Sequence, residues 1–206
     1  MTFEIWFAYL ITVLFFMVTP GPSHLLMLSN SMAHGFRPSL ATALGDLSAN
    51  SLQILAAGLG LASLVLASQD FFTVVKWAGV AYLVYLGIQK IRTAGRMPSA
   101  ASGGPGRRSL FLQGFLTSAV NPKAVVFFAG LFPLFLDPGA PLASQIFILG
   151  VTYIVVDGSF LCFYGAAAGW LSKRLQARAK AWLDRASGGF LIAAAVLLSL
   201  RQAGTR

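Results

Sequence analysis

Apolar residues run along this chain in six long stretches, at about 3–33, 39–67, 71–91, 110–136, 142–171 and 186–201. A bilayer core of ~30 Å is crossed by roughly 20 mostly apolar residues in helical form, so each stretch predicts a membrane-spanning helix. The breaks between them carry turn chemistry or charge: His34-Gly35-Phe36-Arg37-Pro38, Ser68-Gln69-Asp70, Asp137-Pro138-Gly139-Ala140-Pro141, and the basic run Lys173 to Arg185. The longest break, Thr93 to Ser109, is rich in Gly, Ser, Pro and Arg and reads as a flexible linker. The last span is the shortest, and its basic approach also fits an amphipathic helix lying in the interface. Met1 to Thr19 lacks the basic start of a signal peptide and reads as a retained span.

Composition supports lipid as the solvent. Of 206 residues, 57% are apolar and 10% charged, against ~25% charged in an average soluble domain. Cys162 is the one cysteine, which excludes a disulfide framework, a CxxC redox pair and a thiolate metal cluster. No other metal or cofactor motif is present, and none is expected. The formal charge of +9 would suit nucleic acid if the basic groups formed one patch. They do not. Loops after the first, third and fifth spans hold eleven of the fifteen: Arg37; Lys90, Arg92, Arg96, Arg107 and Arg108; Lys173, Arg174, Arg178, Lys180 and Arg185. Arg201 and Arg206 fall on the opposite side, and Lys76 and Lys123 lie inside spans. By the positive-inside rule the linker side is cytoplasmic, both termini lie outside, and nucleic acid is not a partner.

The linker divides the chain into residues 1–92 and 110–206, with 93–109 between. Three spans in each part force opposite insertion. The parts also share features. Thr19-Pro20-Gly21-Pro22 interrupts the first span and Asn121-Pro122-Lys123 the fourth, while the second span holds Gly45-Asp46 and the fifth Asp157-Gly158. That combination predicts an all-α membrane protein of six helices in two inverted three-helix repeats, with helices 1 and 4 broken and a solute site at the breaks. Proline lacks an N–H and clashes one turn back. Backbone groups freed there cannot face lipid, so they line protein or a wet cavity. Gly21 permits close approach, and the half-helix that follows aims its N-terminus at the cavity. The bland reading of each break is a simple proline kink.

Asp46, Lys123 and Asp157 lie within spans, where a charge costs on the order of 3 kcal/mol unless it faces the protein interior. Asp46, Asn50 and Gln53 share one helix face, as do Tyr153, Asp157 and Tyr164, and Ser23, Met27 and Asn30. The expected substrate-binding set is Pro20, Gly21, Pro22, Ser23, Asn50, Asn121, Pro122 and Tyr153. The charged core is Asp46, Lys123 and Asp157. The two acids would hold an ammonium or take up a proton, with Lys123 neutralising one of them or attracting a carboxylate. The structural alternative is a Lys–Asp pair that only locks helices. His24 reads equally as a packing residue or a proton relay. Gly165 to Gly169 form a GxxxG face for helix contact, within the chain or in a homodimer.

Thr19-Pro20-Gly21-Pro22, then Gly35-Phe36-Arg37 and Gly45, then Asn121-Pro122-Lys123-Ala124 with Phe127, Phe128, Pro133 and Phe135, resemble the LysE/RhtB family of amino-acid exporters in motif order over essentially the whole chain. The resemblance implies efflux of an amino acid or derivative (lysine, arginine, homoserine, threonine or leucine types) across a bacterial inner membrane, driven by proton motive force. Where such proteins often read Pro-Gln-Phe, this chain has Pro133-Leu134-Phe135. A polar contact is missing, which leaves the substrate open. Rival readings are a transporter of another small solute or of a divalent cation, the latter opposed by Lys123, an intramembrane enzyme using Asp46 and Asp157 as a pair, and a passive channel.

Overall fold

The computed structural model describes residues 1–59, 77, 80–82, 84–89, 91–92, 105–137, 139–172 and 177–200. Ser68-Gln69-Asp70, most of the third expected span, the linker as far as residue 104, and Lys76, Lys90, Arg96, Lys173, Arg174, Arg201 and Arg206 lie outside the described residues. The helices are α1 (Phe3–Val18), α2 (Pro22–His34), α3 (Phe36–Gly58), α4 (Arg107–Ala119), α5 (Pro122–Val126), α6 (Leu142–Ser172) and α7 (Ala177–Leu200). A π-helical turn, Phe127–Leu131, and a 3-10 turn, Phe132–Phe135, extend α5. The described residues between Val80 and Arg92 are also helical, and no strand occurs among the described residues.

Proline places the breaks. The residue before a proline is pushed out of the helical region, and Thr19 (ψ 111°), Gly21 (ψ −177°) and Asn121 (ψ 113°) are all extended. α1 and α2 consequently meet at 54°. Pro133 cannot donate to the carbonyl four residues earlier, and the chain rewinds through the π and 3-10 turns around it. Gly35 adopts φ +87°, a left-handed value that a side chain disfavours, and so joins α2 to α3 in a single residue. The expected five-residue loop is therefore one glycine. The last helix is described from Ala177, so residues 177–185 of the basic approach are helical, which fits the amphipathic-helix alternative. No glycine or proline stands between residues 177 and 187 to stop it.

The exterior is built for lipid. Phe3, Phe7, Ile11, Phe15 and Val18 form an exposed row on α1, and Phe147, Val151, Val155 and Phe163 one on α6. Exposed hydroxyls bond back to their own helix: Thr12 to Ala8, Ser48 to Leu44, Ser51 to Leu47, Thr152 to Ile148 and Ser159 to Val155. That pattern supplies partners where water does not. By length and apolarity alone, Leu142–Ala168 can cross a membrane (mean hydropathy 2.1), and the bent pair Phe3–Val18 and Pro22–His34 qualifies when taken together. α3 does not qualify, because its inward stripe is polar.

That interior divides by depth. α3 and α4 run in the same direction, with Gly45 beside Phe111, Asn50 beside Ser118 and Gln53 beside Ala119. Arg37, Arg107 and Arg108 therefore lie at one end. Nearer that end the buried side chains are polar: Asn30 donates to Thr42 (3.0 Å) and Gln113 (3.3 Å), with Ser31, Ser39 and Thr117 buried alongside. In the other half, Tyr9, Phe127, Phe128, Phe132 and Tyr153 pack ring against ring with Val13, Ile54 and Leu149.

Candidate functional site

Where the polar half meets the aromatic half, a cavity opens between the two helix breaks. It is lined by Phe16, Met17, Ser23, His24, Asp46, Asn50, Asn121, Lys123, Ala124, Tyr153 and Asp157. The space enclosed between these side chains is about 20 Å³, enough for about one water. The breaks touch one another. A Cβ on Gly21 would sit 3.3 Å from Cδ of Lys123 and 3.7 Å from Nδ2 of Asn121, so the glycine allows the two motifs to meet. Asn121 caps α5 by accepting from the backbone N–H of Lys123 (3.0 Å), and its amide donates to Oγ of Ser23 (3.3 Å).

Asp46 stands on α3, and Asp157 sits midway along α6. Nδ2 of Asn50 donates to Oδ2 of Asp46 (2.9 Å) and to Oδ2 of Asp157 (2.8 Å), while its Oδ1 accepts from Ser118 (2.9 Å). One amide thus holds two buried carboxyls. Nε2 of His24 is 3.6 Å from Oδ1 of Asp157, and its ring meets Tyr164 edge-on. Neither nitrogen of His24 has a hydrogen-bond partner, nor has Oδ1 of Asp46. Buried polar atoms without partners are uncommon, and each calls for an explanation.

Lys123 takes a position other than the one expected. Its ammonium donates to the carbonyls of Phe16 and Thr19 and lies over the ring of Phe16 (4.9 Å to the centroid), rather than bonding either carboxylate. Those carbonyls belong to the broken end of α1, the negative end of its dipole. Gln53 does the same for the other break, donating to the carbonyls of Ser118 and Ala119 at 3.2 Å each. Each broken end is capped by a side chain from across the linker. Lys123→Met should therefore cost ~1–3 kcal/mol, the scale of leaving buried acceptors without a donor, read as a lower melting temperature in detergent. An unchanged melting temperature would remove the capping role.

Of the expected substrate residues, Ser23, Asn50, Asn121 and Tyr153 line the cavity together with Asp46, Lys123 and Asp157. Gly21 and Pro22 are buried and shape the break, Pro122 starts α5, and Pro20 is exposed and does not line the space. Ser118, Phe16, Met17 and Ala124 were absent from the expected set. Ser118 could have been found from its place one turn before the Asn121 break. In the GxxxG run, a Cβ on Gly165 would meet Met27, Ser31 and Phe36 of the same chain, so that glycine serves an internal contact.

Comparison with known proteins identifies the family. The model of the family "LysE type translocator" matches residues 14–202. A homoserine/homoserine lactone efflux protein of Salmonella typhimurium is 37% identical over 98% of this chain and 100% of its own length, and its Salmonella typhi counterpart matches equally. A membrane protein of Vibrio cholerae is 33% identical over 85% of this chain and 86% of its own. No solved structure matches the chain. With nearly the whole chain covered by both the family model and full-length relatives, this protein belongs to the LysE type translocator family.

Proposed function

We propose that this protein is a secondary active exporter of a small amino acid or amino-acid derivative, coupled to proton uptake, working by alternating access in the bacterial inner membrane. The observation that carries this reading is the cavity between the two proline breaks, where Asp46 and Asp157 share the amide of Asn50. Solutes of this class are named for the Salmonella relatives, homoserine and its lactone.

The working parts are Ser23, Asn50, Asn121 and Tyr153 around the solute, with Gly21, Pro22 and Pro122 forming the breaks. Asp46 and Asp157 carry the exchange. Two buried carboxylates held on one amide repel each other, and a proton or a ligand cation relieves the repulsion. Either can occupy the site, and their competition couples the two fluxes. The two three-helix units, 1–92 and 110–206, are inverted repeats joined by the 93–109 linker, with both termini outside and the arginine end cytoplasmic. The aromatic cluster of Tyr9, Phe127, Phe128, Phe132 and Tyr153 then closes the outward side, and rocking of one unit against the other opens it. The family is one of translocators, so we assign the carboxyl pair to coupling rather than to hydrolysis.

Cells loaded with dipeptides and challenged with a panel of amino acids, lactones and amides provide the test. Expression should protect growth against at least one member and accelerate its efflux, and an uncoupler should abolish the concentrative component. If no member of the panel moves faster with the protein than without it, the exporter reading falls.

A further inference from the structure

The outward half of the interior holds a polar atom with no task so far. Tyr9 is fully buried on α1, and its hydroxyl has no hydrogen-bond partner. Phe127, Phe132 and Phe135 stand around its ring, with centroids at 6.1, 6.1 and 5.1 Å. A phenylalanine would pack there as well without burying an unpaired O–H. Such a group costs stability, and it calls for another state of the protein in which it is paired. Tyr9, Val13 and Met17 form one buried stripe of α1, and Met17 lines the cavity. Eight residues of helix, about 12 Å, separate the ring from the cavity wall. This stripe is the plug between the carboxyl pair and the outside.

The rings that face Tyr9 ride on irregular backbone. Phe132 donates its N–H to the carbonyl of Phe127, five residues back, and Pro133 has no N–H to offer Ala129. A π turn holds more residues than an α turn, and rewinding it to α swings the residues beyond it by roughly 100°. Gly130 sits within this turn. A Cβ there would meet nothing within 4 Å, and among the described residues Gly35 is the one with a positive φ. Neither close packing nor backbone geometry calls for a glycine at 130; freedom to rewind does. We infer that Tyr9 against the π turn is the outer gate, that Gly130 is its hinge, and that the Tyr9 hydroxyl gains its hydrogen-bond partner only when the gate opens. That partner is water or the passing solute. The inference rests on the exporter reading for the direction of passage. Rewinding carries Phe132 off the Tyr9 ring and wets the Tyr9–Val13–Met17 stripe as far as the cavity. Tyr9 is then a transport residue rather than a packing one.

The test uses the full chain in right-side-out vesicles. Cys162→Ser removes the exposed native thiol, and Val13→Cys places a reporter behind the gate. A charged, membrane-impermeant thiol reagent added outside reaches that reporter only through an open gate. Tyr9→Phe should slow the labelling by about 5-fold, the ratio for one hydrogen bond of ~1 kcal/mol lost from the open state, while the melting temperature holds or rises. Gly130→Ala should slow labelling to a similar degree and raise the melting temperature by roughly 1–3 °C. A Tyr9→Phe protein labelled at the reference rate would overturn the inference. So would one that melts lower and labels faster, which is the signature of a merely structural tyrosine. Gly130→Ala has nothing to clash with, so it keeps the hinge testable should Tyr9→Phe fail to fold; unchanged labelling there would overturn the inference too. Labelling needs no transported solute, which separates the two readings. A chain that moves no member of the efflux panel loses the exporter reading with its gate still measured, and one that exports while its labelling ignores both substitutions loses only the gate.

Discussion

Asp157→Asn should insert and fold yet lose proton-driven efflux by ~10–100-fold, the span set by removing one charged hydrogen-bond partner worth ~1.5–3 kcal/mol. The substitution keeps shape and volume, so helix packing around α6 is preserved. It removes the charge that receives the Asn50 amide at 2.8 Å and faces His24 at 3.6 Å. The asparagine can neither take up a proton nor balance a cation. Efflux driven by an imposed pH gradient should therefore fall by that factor with little change in the protein's elution profile or melting temperature. Export at the wild-type rate would mean that Asp157 has no part in coupling.

The second large effect lies away from the cavity. At the α3–α4 crossing a Cβ on Gly45 would run into the carbonyl of Phe111, and one on Gly114 into the carbonyl of Thr42. Both obstacles are backbone, so neither can swing aside as a side chain would. Gly45→Val and Gly114→Val should each cost ~3 kcal/mol or more, at or beyond the upper end of ordinary overpacking. The crossing also holds Ser118 against Asn50 (2.9 Å), so forcing the helices apart pulls the site open. Both variants should aggregate on extraction or melt many degrees lower. A monodisperse Gly114→Val with wild-type stability would show that the crossing is looser than its geometry indicates.

Much of the architecture was legible in residue order. Pro20, Pro22 and Pro122 break helices by covalent geometry, whatever surrounds them, and the breaks fell at those residues. The stripe of Asp46, Asn50 and Gln53 follows from 3.6 residues per turn, and Asp46 and Asn50 are buried as that spacing implies. Lys123 shows where local reasoning ended. A lysine in a span must find a partner, but whether it finds a carboxylate or a broken helix end depends on which elements lie nearest. Here α1's open carbonyls were nearer than Asp157. His24 was ambiguous for the same cause, since a lone histidine on an apolar face says nothing about the residue opposite it. Pro20 was grouped with its neighbours, but it is exposed and does not line the cavity.

The residue order by itself determined the lipid-facing character, the helix breaks and the need to hide three charges, because these follow from transfer energies and backbone sterics acting within a dozen residues. Only the tertiary structure decided that Asn50 would bridge Asp46 and Asp157, that Lys123 and Gln53 would cap breaks across the linker, and that His24 would face the acid pair unpartnered. Those contacts join residues up to 133 positions apart, and no local pattern encodes the close glycine crossing that brings their helices together.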